Sequence, residues 1–269
     1  MGNLLKTEWL KLKKYWAFWW MTGIVAFAYP GMNYAIYENG YKDSLNNKTM
    51  GPVLRMLPNP FTFPDVWQTV AFISSFFIFI PSIVVIMFIT NEYTYKTHRQ
   101  NIIDGWSRKQ FMLSKMIDVL FISLLTTVLY FIVALVIGYN NINTNTGSVW
   151  NDSKYIGLFF LQTFSQLSLA FLVAFFVRKA FIALGIFLFY FFPFEPFFVE
   201  YSREHWNDIG RFMPLEISDR LIPRPRFTIR SESQWKELMD GANQHIIYTI
   251  LLLAVTWGLC FWVNAKRDL

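Results

Sequence analysis

The chain has 269 residues, of which 54% are hydrophobic, 20% aromatic and only 16% charged. Soluble domains carry roughly 25% charged residues, so a water-soluble globular fold is excluded and a polytopic, all-α membrane protein is indicated. The net charge of +6 has no soluble surface to present it to nucleic acid, and the single cysteine, Cys260, excludes a disulfide framework or a multi-thiolate metal site.

Residues 3–14 place Leu5, Trp9 and Leu12 at helical spacing among Lys6, Lys11, Lys13 and Lys14, which predicts an interfacial amphipathic helix that also flanks the first span. Ala26-Phe27-Ala28 imitates a secretory cleavage site, but Trp16, Trp19 and Trp20 make the run bulky and it continues past that site. A first span over residues 15–36 is therefore expected. Residues 37–64 are rich in Gly and Pro and leave the membrane. The second span, 66–90, contains Pro81, which predicts a kink.

A basic polar stretch then separates two apolar runs. Thr97 with Gln100, and Ser107 with Gln110, have capping-box spacing, and Gly105 lies between them where a helix can end in the left-handed conformation. The spacing predicts a short helix over 98–104 lying across the mouth of two spans, with a second helix starting at Ser107. Asp104 offers a charge for docking to a basic partner surface. Lys96, Arg99, Arg108, Lys109 and Lys115 are also what an ordinary cytoplasmic loop accumulates.

The third span, 111–138, carries Asp118 about two turns in, where a charge must face protein or water; Lys115 is the available partner. Residues 139–154 form a short Asn-rich outer loop. In the fourth span, 155–177, Gln162, Ser165, Gln166 and Leu169 share one helical face, able to glue helices together or to line a route. Arg178 and Lys179 mark an inner turn. The fifth span, 180–197, ends in Phe192-Pro193-Phe194-Glu195-Pro196, where two prolines are expected to break the helix around a carboxylate. A long outer segment, 198–245, holds Arg220, Arg224, Arg226 and Arg230 yet is nearly neutral, and a last span over 246–264 closes on Lys266 and Arg267. Runs of about 20 residues match a hydrocarbon core of roughly 30 Å. Six of them put both ends on one side, and thirteen Lys and Arg on that side against four in the two shorter opposite loops make it cytoplasmic.

Catalytic motifs are missing. No G-x-x-x-x-G-K-[ST] loop occurs to cradle phosphates, no H-E-x-x-H or G-x-S-x-G is found, and His98, His205 and His245 are scattered without metal-ligand spacing. Glu195, Glu200, His205 and Asp208 are the residues from which a membrane-embedded enzyme acting at the outer face could be assembled. A non-transporting membrane scaffold is the third reading.

Glu92, Lys96-Thr97, Arg99, Gly105, Ser107-Arg108 and Lys115 together resemble the first cytoplasmic loop of type 2 ATP-binding-cassette (ABC) exporter permeases. In that family an acidic residue ends the second span, a Gly-Thr or Lys-Thr step leads into a coupling helix, and Ser-Arg and a Lys open the third span. Here Lys96 stands where glycine is commoner. The resemblance implies six transmembrane helices, an N-terminal elbow helix and a coupling segment over 91–110 using Glu92, Lys96, Thr97, Arg99, Asp104, Gly105, Ser107 and Arg108. It also implies re-entrant or capping elements at an outer gate; the polar face and the proline-flanked carboxylate read above make Gln162, Gln166, Pro193 and Glu195 the candidate path or gate residues. No cofactor or metal is expected on the chain itself; ATP and Mg belong to partner ABC ATPase subunits. A second permease copy or a similar permease would complete the path in a plasma membrane, of the bacterial cytoplasmic kind.

Overall fold

The computed structural model describes residues 10, 13–14, 16–48, 51–56, 59–103, 105–142, 148–225 and 232–266, and all regular structure among them is helical. The first run forms α1 (Trp16–Ala35), which passes through a π-helical stretch, Ile36–Lys42, into the short α2 (Asp43–Asn46); α3 (Gly51–Met56) follows. The second run is α4 (Val66–Ser75) and α5 (Phe79–Thr94), joined through the short α6 (Thr97–Ile103) to α7 (Arg108–Asn140) and then α8 (Lys154–Val177). Next come α9 (Ala180–Phe189), a π turn (Tyr190–Phe194) and α10 (Glu195–His205). A 3-10 turn (Ile209–Phe212) and α11 (Pro214–Asp219) precede α12 (Glu232–Lys266).

Among the described residues four helices are long and apolar enough to cross a membrane, namely α7, α8, the continuous Ala180–His205 and the Gly241–Lys266 part of α12; α4 with α5 adds a fifth if the bent pair is a single span. The sixth expected span, α1, is not among them. It has 20 residues, but three Trp, two Tyr, Asn33 and Pro30 dilute its apolar character. Phe18, Val25 and Tyr29 nonetheless bury it in the same core as the other helices. The predicted interfacial helix over 3–14 lies almost wholly outside the described residues, as do Asp104, Arg226 and Arg230.

The two proline expectations resolve differently. α4 and α5 meet at 48°, and the bend falls just before Pro81 rather than at it. A proline ring collides with the carbonyl four residues earlier, here Phe77, so the chain tightens there instead. Phe77, Ile78 and Ile80 each donate to the carbonyl three residues back. Pro193 and Pro196, by contrast, do not break the fifth run, which stays helical to His205. Pro193 sits in the wider π turn, and Pro196 falls in the first turn of α10, where its missing N–H is not needed.

α8 is the hub, packed by α4, α5, α7, α9, α11 and α12. Lipid tails give no hydrophobic drive for helices to associate, so small and polar side chains carry the contacts. Gln162, Thr163, Ser165, Gln166, Ser168, Ala170 and Ala174 are all buried on it. Ser168 accepts a hydrogen bond from Trp257 Nε1 of α12 at 3.0 Å, and Tyr130 of α7 packs on Phe159 with ring centroids 4.5 Å apart.

Gly138 of α7 marks a close approach, because a Cβ there would stand 2.4 Å from Phe63 Cζ, and Phe63 is itself wedged against Trp67 and Tyr139. Gly138→Ala is therefore expected to cost about 1–3 kcal/mol by overpacking. Gly157→Ala, on α8 with nothing within 4 Å of the added carbon, should leave stability unchanged or slightly raised. Thermal unfolding of both variants in detergent checks the contrast, and equal melting would contradict it.

Candidate functional site

The chain between α5 and α7 is a joint built from local backbone chemistry. Lys96 adopts the left-handed conformation with φ of 56°, so the bend before α6 is made with lysine where glycine would carry no Cβ penalty. Thr97 is the first residue of α6, and its hydroxyl donates to the Glu92 carbonyl at 3.4 Å; His98 Nδ1 lies 3.2 Å from the same oxygen. The open carbonyl end of α5 is thus closed by side chains of α6.

At the other end, Trp106 N donates to Asn101 O and Gly105 N to Ile102 O, both at 3.0 Å, with Gly105 at φ of 98°. This is the paired closure of a Schellman ending, with glycine at the left-handed position. Ser107 then forms the complete capping box: its Oγ accepts from Gln110 N at 3.2 Å and its N–H donates to Gln110 Oε1 at 2.9 Å. Two helices therefore meet at Gly105 with both facing ends satisfied.

Three ties fasten this joint to the bundle. The first is ionic. Lys115 is only 1% exposed, and its ammonium lies 2.8 Å from Glu92 Oε1 and 3.1 Å from Asp118 Oδ2. The rings of Phe88 and Phe111 stand 4.8 and 5.6 Å from the same nitrogen. The second tie is Arg178, in the turn after α8, whose guanidinium covers the Tyr93 ring at 4.8 Å, while Tyr93 also contacts His98. The third is reciprocal: Arg108 donates to Ala265 O, and Asn264 donates to Arg108 O, each at 2.8 Å. That stitches the start of α7 to the end of α12.

Of the residues named from the sequence, Glu92 is buried, Lys96, Gly105 and Ser107 are exposed, and Thr97 and Arg108 are half-buried. Arg99 lies on α6. Gln162, Gln166, Pro193 and Glu195 lie away from this joint. Gln162 and Gln166 donate to Asp219 Oδ1 at 2.8 and 2.6 Å, and Glu195 Oε1 accepts from Glu216 N at 2.6 Å. α11 is thereby pinned at both ends. Its Ile217 carbonyl is also approached by His245 Nδ1 at 3.2 Å and the Thr249 hydroxyl at 3.5 Å. Pro193 is exposed beside this group.

The four residues of the enzyme reading are not brought together. Glu200 pairs with Arg203, and His205 Nδ1 faces the Tyr201 carbonyl, both within α10. Asp208 is held by Arg220 through both oxygens, at 2.6 and 2.8 Å, and these bonds keep its carboxyl below the usual range. No group of three metal-ligating side chains occurs among the described residues. A small apolar cleft of about 10 Å³ between α1, α5 and α7, lined by Phe18, Val25, Pro81 and Ile122, holds no titratable group.

Lys115→Met is expected to destabilise the protein by about 3–5 kcal/mol, because it leaves Glu92 and Asp118 buried without their common cation. Adding Glu92→Gln and Asp118→Asn should restore much of the loss. Denaturation in detergent reads both, and a single substitution without effect would refute the buried-triad account. Lys96→Gly should stabilise the joint by about 1 kcal/mol in the same assay.

Among curated proteins none matches the chain. The family profile described as ABC-2 family transporter protein matches residues 4–194, which include the joint, the Lys115 triad and all of α8 and stop at the π turn. Since that match covers most of the chain, and its helices include several of membrane-crossing length, the protein belongs to the ABC-2 transporter family as the multi-pass membrane permease component of an ABC transporter.

Proposed function

We propose that the chain is the permease subunit of an ABC exporter, forming the substrate path with a second copy or a similar permease and coupled through α6 to a separate ATPase subunit. The observation that carries this reading is the joint at Gly105. A motor can move a membrane helix only through a contact that is stiff during its stroke, and α6 is closed at its far end, followed by a capped helix and tied to three parts of the bundle. ATP and Mg sit on the partner, since this chain has no phosphate loop of the G-x-x-x-x-G-K-[ST] kind.

On this reading α1 is the sixth span, both termini are cytoplasmic in a bacterial plasma membrane, and α11 is the outer gate. Glu92, Lys96, Thr97, Arg99, Asp104, Gly105, Ser107 and Arg108 serve coupling; Gln162, Gln166, Pro193 and Glu195 border the path. α12 offers a mechanical link between the two ends. It is stitched to the joint at Asn264 and Ala265 and touches the α11 backbone from His245 and Thr249. A push on α6 is then delivered to the gate by one continuous helix.

The test separates docking from coupling. In a Cys260→Ser background, Arg224→Cys places an exposed thiol beside the gate, and its labelling by a membrane-impermeant reagent should change when nucleotide binds the ATPase complex. Gly105→Ala with Ser107→Ala removes a left-handed glycine and a cap, each worth about 1 kcal/mol, too little to unfold the bundle. That pair, and Asn264→Ala, should retain ATPase association and lose most of the nucleotide-dependent change in labelling. Parent-like labelling in both variants, or failure of any ATPase to associate with the parent, would sink the reading.

A further inference from the structure

Resting on the export reading, we propose that the end of the bundle around α11 is a recognition site for the positively charged amine head group of the exported compound, formed by Asp219 and Glu195 with the amides of Gln162 and Gln166. Gln162 and Gln166 stand one turn apart on α8, each 1% exposed, and both direct their NH₂ groups at the same oxygen of Asp219. The remaining atom of each planar amide, Oε1, therefore lies beside that carboxylate, and neither receives a hydrogen bond from the protein. Glu195 is 2% exposed; one oxygen closes the start of α11 through Glu216 N, and its Oε2 likewise receives none. Glu216 and Asp219 are three residues apart, about 4.5 Å along the helix, so the two carboxylates flank a single turn.

Apart from the Tyr190 hydroxyl, which hydrogen-bonds the Glu195 carboxyl, the polar atoms left over at this place are acceptors. Two acidic groups and two amide oxygens face it, and Glu195 and Asp219 have no ion-pair partner among the described residues. Among the described residues the nearby cations other than the exposed Arg224 are committed elsewhere. Arg220 binds Asp208 and Glu216, Arg203 binds Glu200, and Arg211 lies over the Phe212 ring. Tyr190 and His245 complete the titratable groups that face the cluster. Buried acceptors without donors cost roughly 1–3 kcal/mol each, and an acidic pair without a cation adds repulsion. A metal ion finds no chelating group here among the described residues. An ammonium, with several directed N–H donors and one positive charge, answers both the acceptors and the charge. Asp219 is exposed, which gives the head group an approach, and Phe192, Phe194 and Phe197 expose apolar rings along the same helical run as Glu195 for the rest of the molecule.

The test uses the full chain in nanodiscs without nucleotide and the probe n-octylammonium, with n-octanol and n-octyl sulfate as controls, followed by calorimetry at pH 7. Saturable binding of octylammonium, in preference to both controls, is expected, weakened by about tenfold or more in Asp219→Asn and in Gln166→Leu. Arg224→Gln should bind as the parent does. Octanol binding as tightly as octylammonium, or unchanged affinity in a folded Asp219→Asn protein, overturns the proposal. So does proton uptake without amine binding, which would make the occupant a proton. The assay needs no ATPase, so failure of ATPase association removes the export reading while leaving amine binding measured on its own.

Discussion

A lysine ammonium cannot be sealed inside a helix bundle unless anions are sealed in with it, and Lys115 obeys that constraint with Glu92 on α5 and Asp118 on its own α7. The cost of desolvating three charges is large, so the arrangement is worth little as a source of stability compared with apolar packing. What it provides is position. α5 and α7 can meet only where the nitrogen, already held by Asp118, reaches Glu92, and α6, whose first turn closes on the Glu92 carbonyl, inherits that register. The apolar remainder of the interface could slide; the triad cannot.

The two ends of the molecule are organised by different chemistry. Near α6 the caps and the left-handed glycine are local in sequence, while the Arg178 guanidinium over Tyr93 and the Arg108–Asn264 stitch reach across the chain to fasten them. Around α11 the contacts are long-range, joining α8, α10 and α12 to a helix of six residues. A short helix has little stability of its own. Its position is set almost wholly by partners.

That difference decides what could be read in the chain beforehand. The Ser107 box and the Gly105 ending were legible because each needs residues only a few positions apart. The Lys115–Asp118 contact was legible for the same reason, whereas Thr97, expected to precede the short helix as its cap, is the first residue of α6 and donates its hydroxyl to the end of α5. Asp219, Asn264 and Thr249 carried no local signal; their partners are 53, 156 and 32 positions away. Counting apolar runs found the transmembrane architecture but not the shortfall of α1, where tryptophan and tyrosine serve an interface as readily as an interior. The prolines at 193 and 196 looked like a break, yet a π turn takes up Pro193 and the first turn of α10 takes up Pro196.

That π turn has a further consequence. A π turn is an α-helix with one residue inserted, and each residue in an α-helix rotates direction by about 100°. Tyr190–Phe194 therefore acts as a rotary offset between α9, which exposes Phe181 and Ile186, and α10, which turns Glu195 inward. Shortening the run by a single residue would rewind it into plain helix and swing every later side chain a quarter turn or more, carrying the carboxylate from its protein-lined seat towards the bilayer. The heading of that one acidic group is stored in the length of the chain before it rather than in any contact it makes.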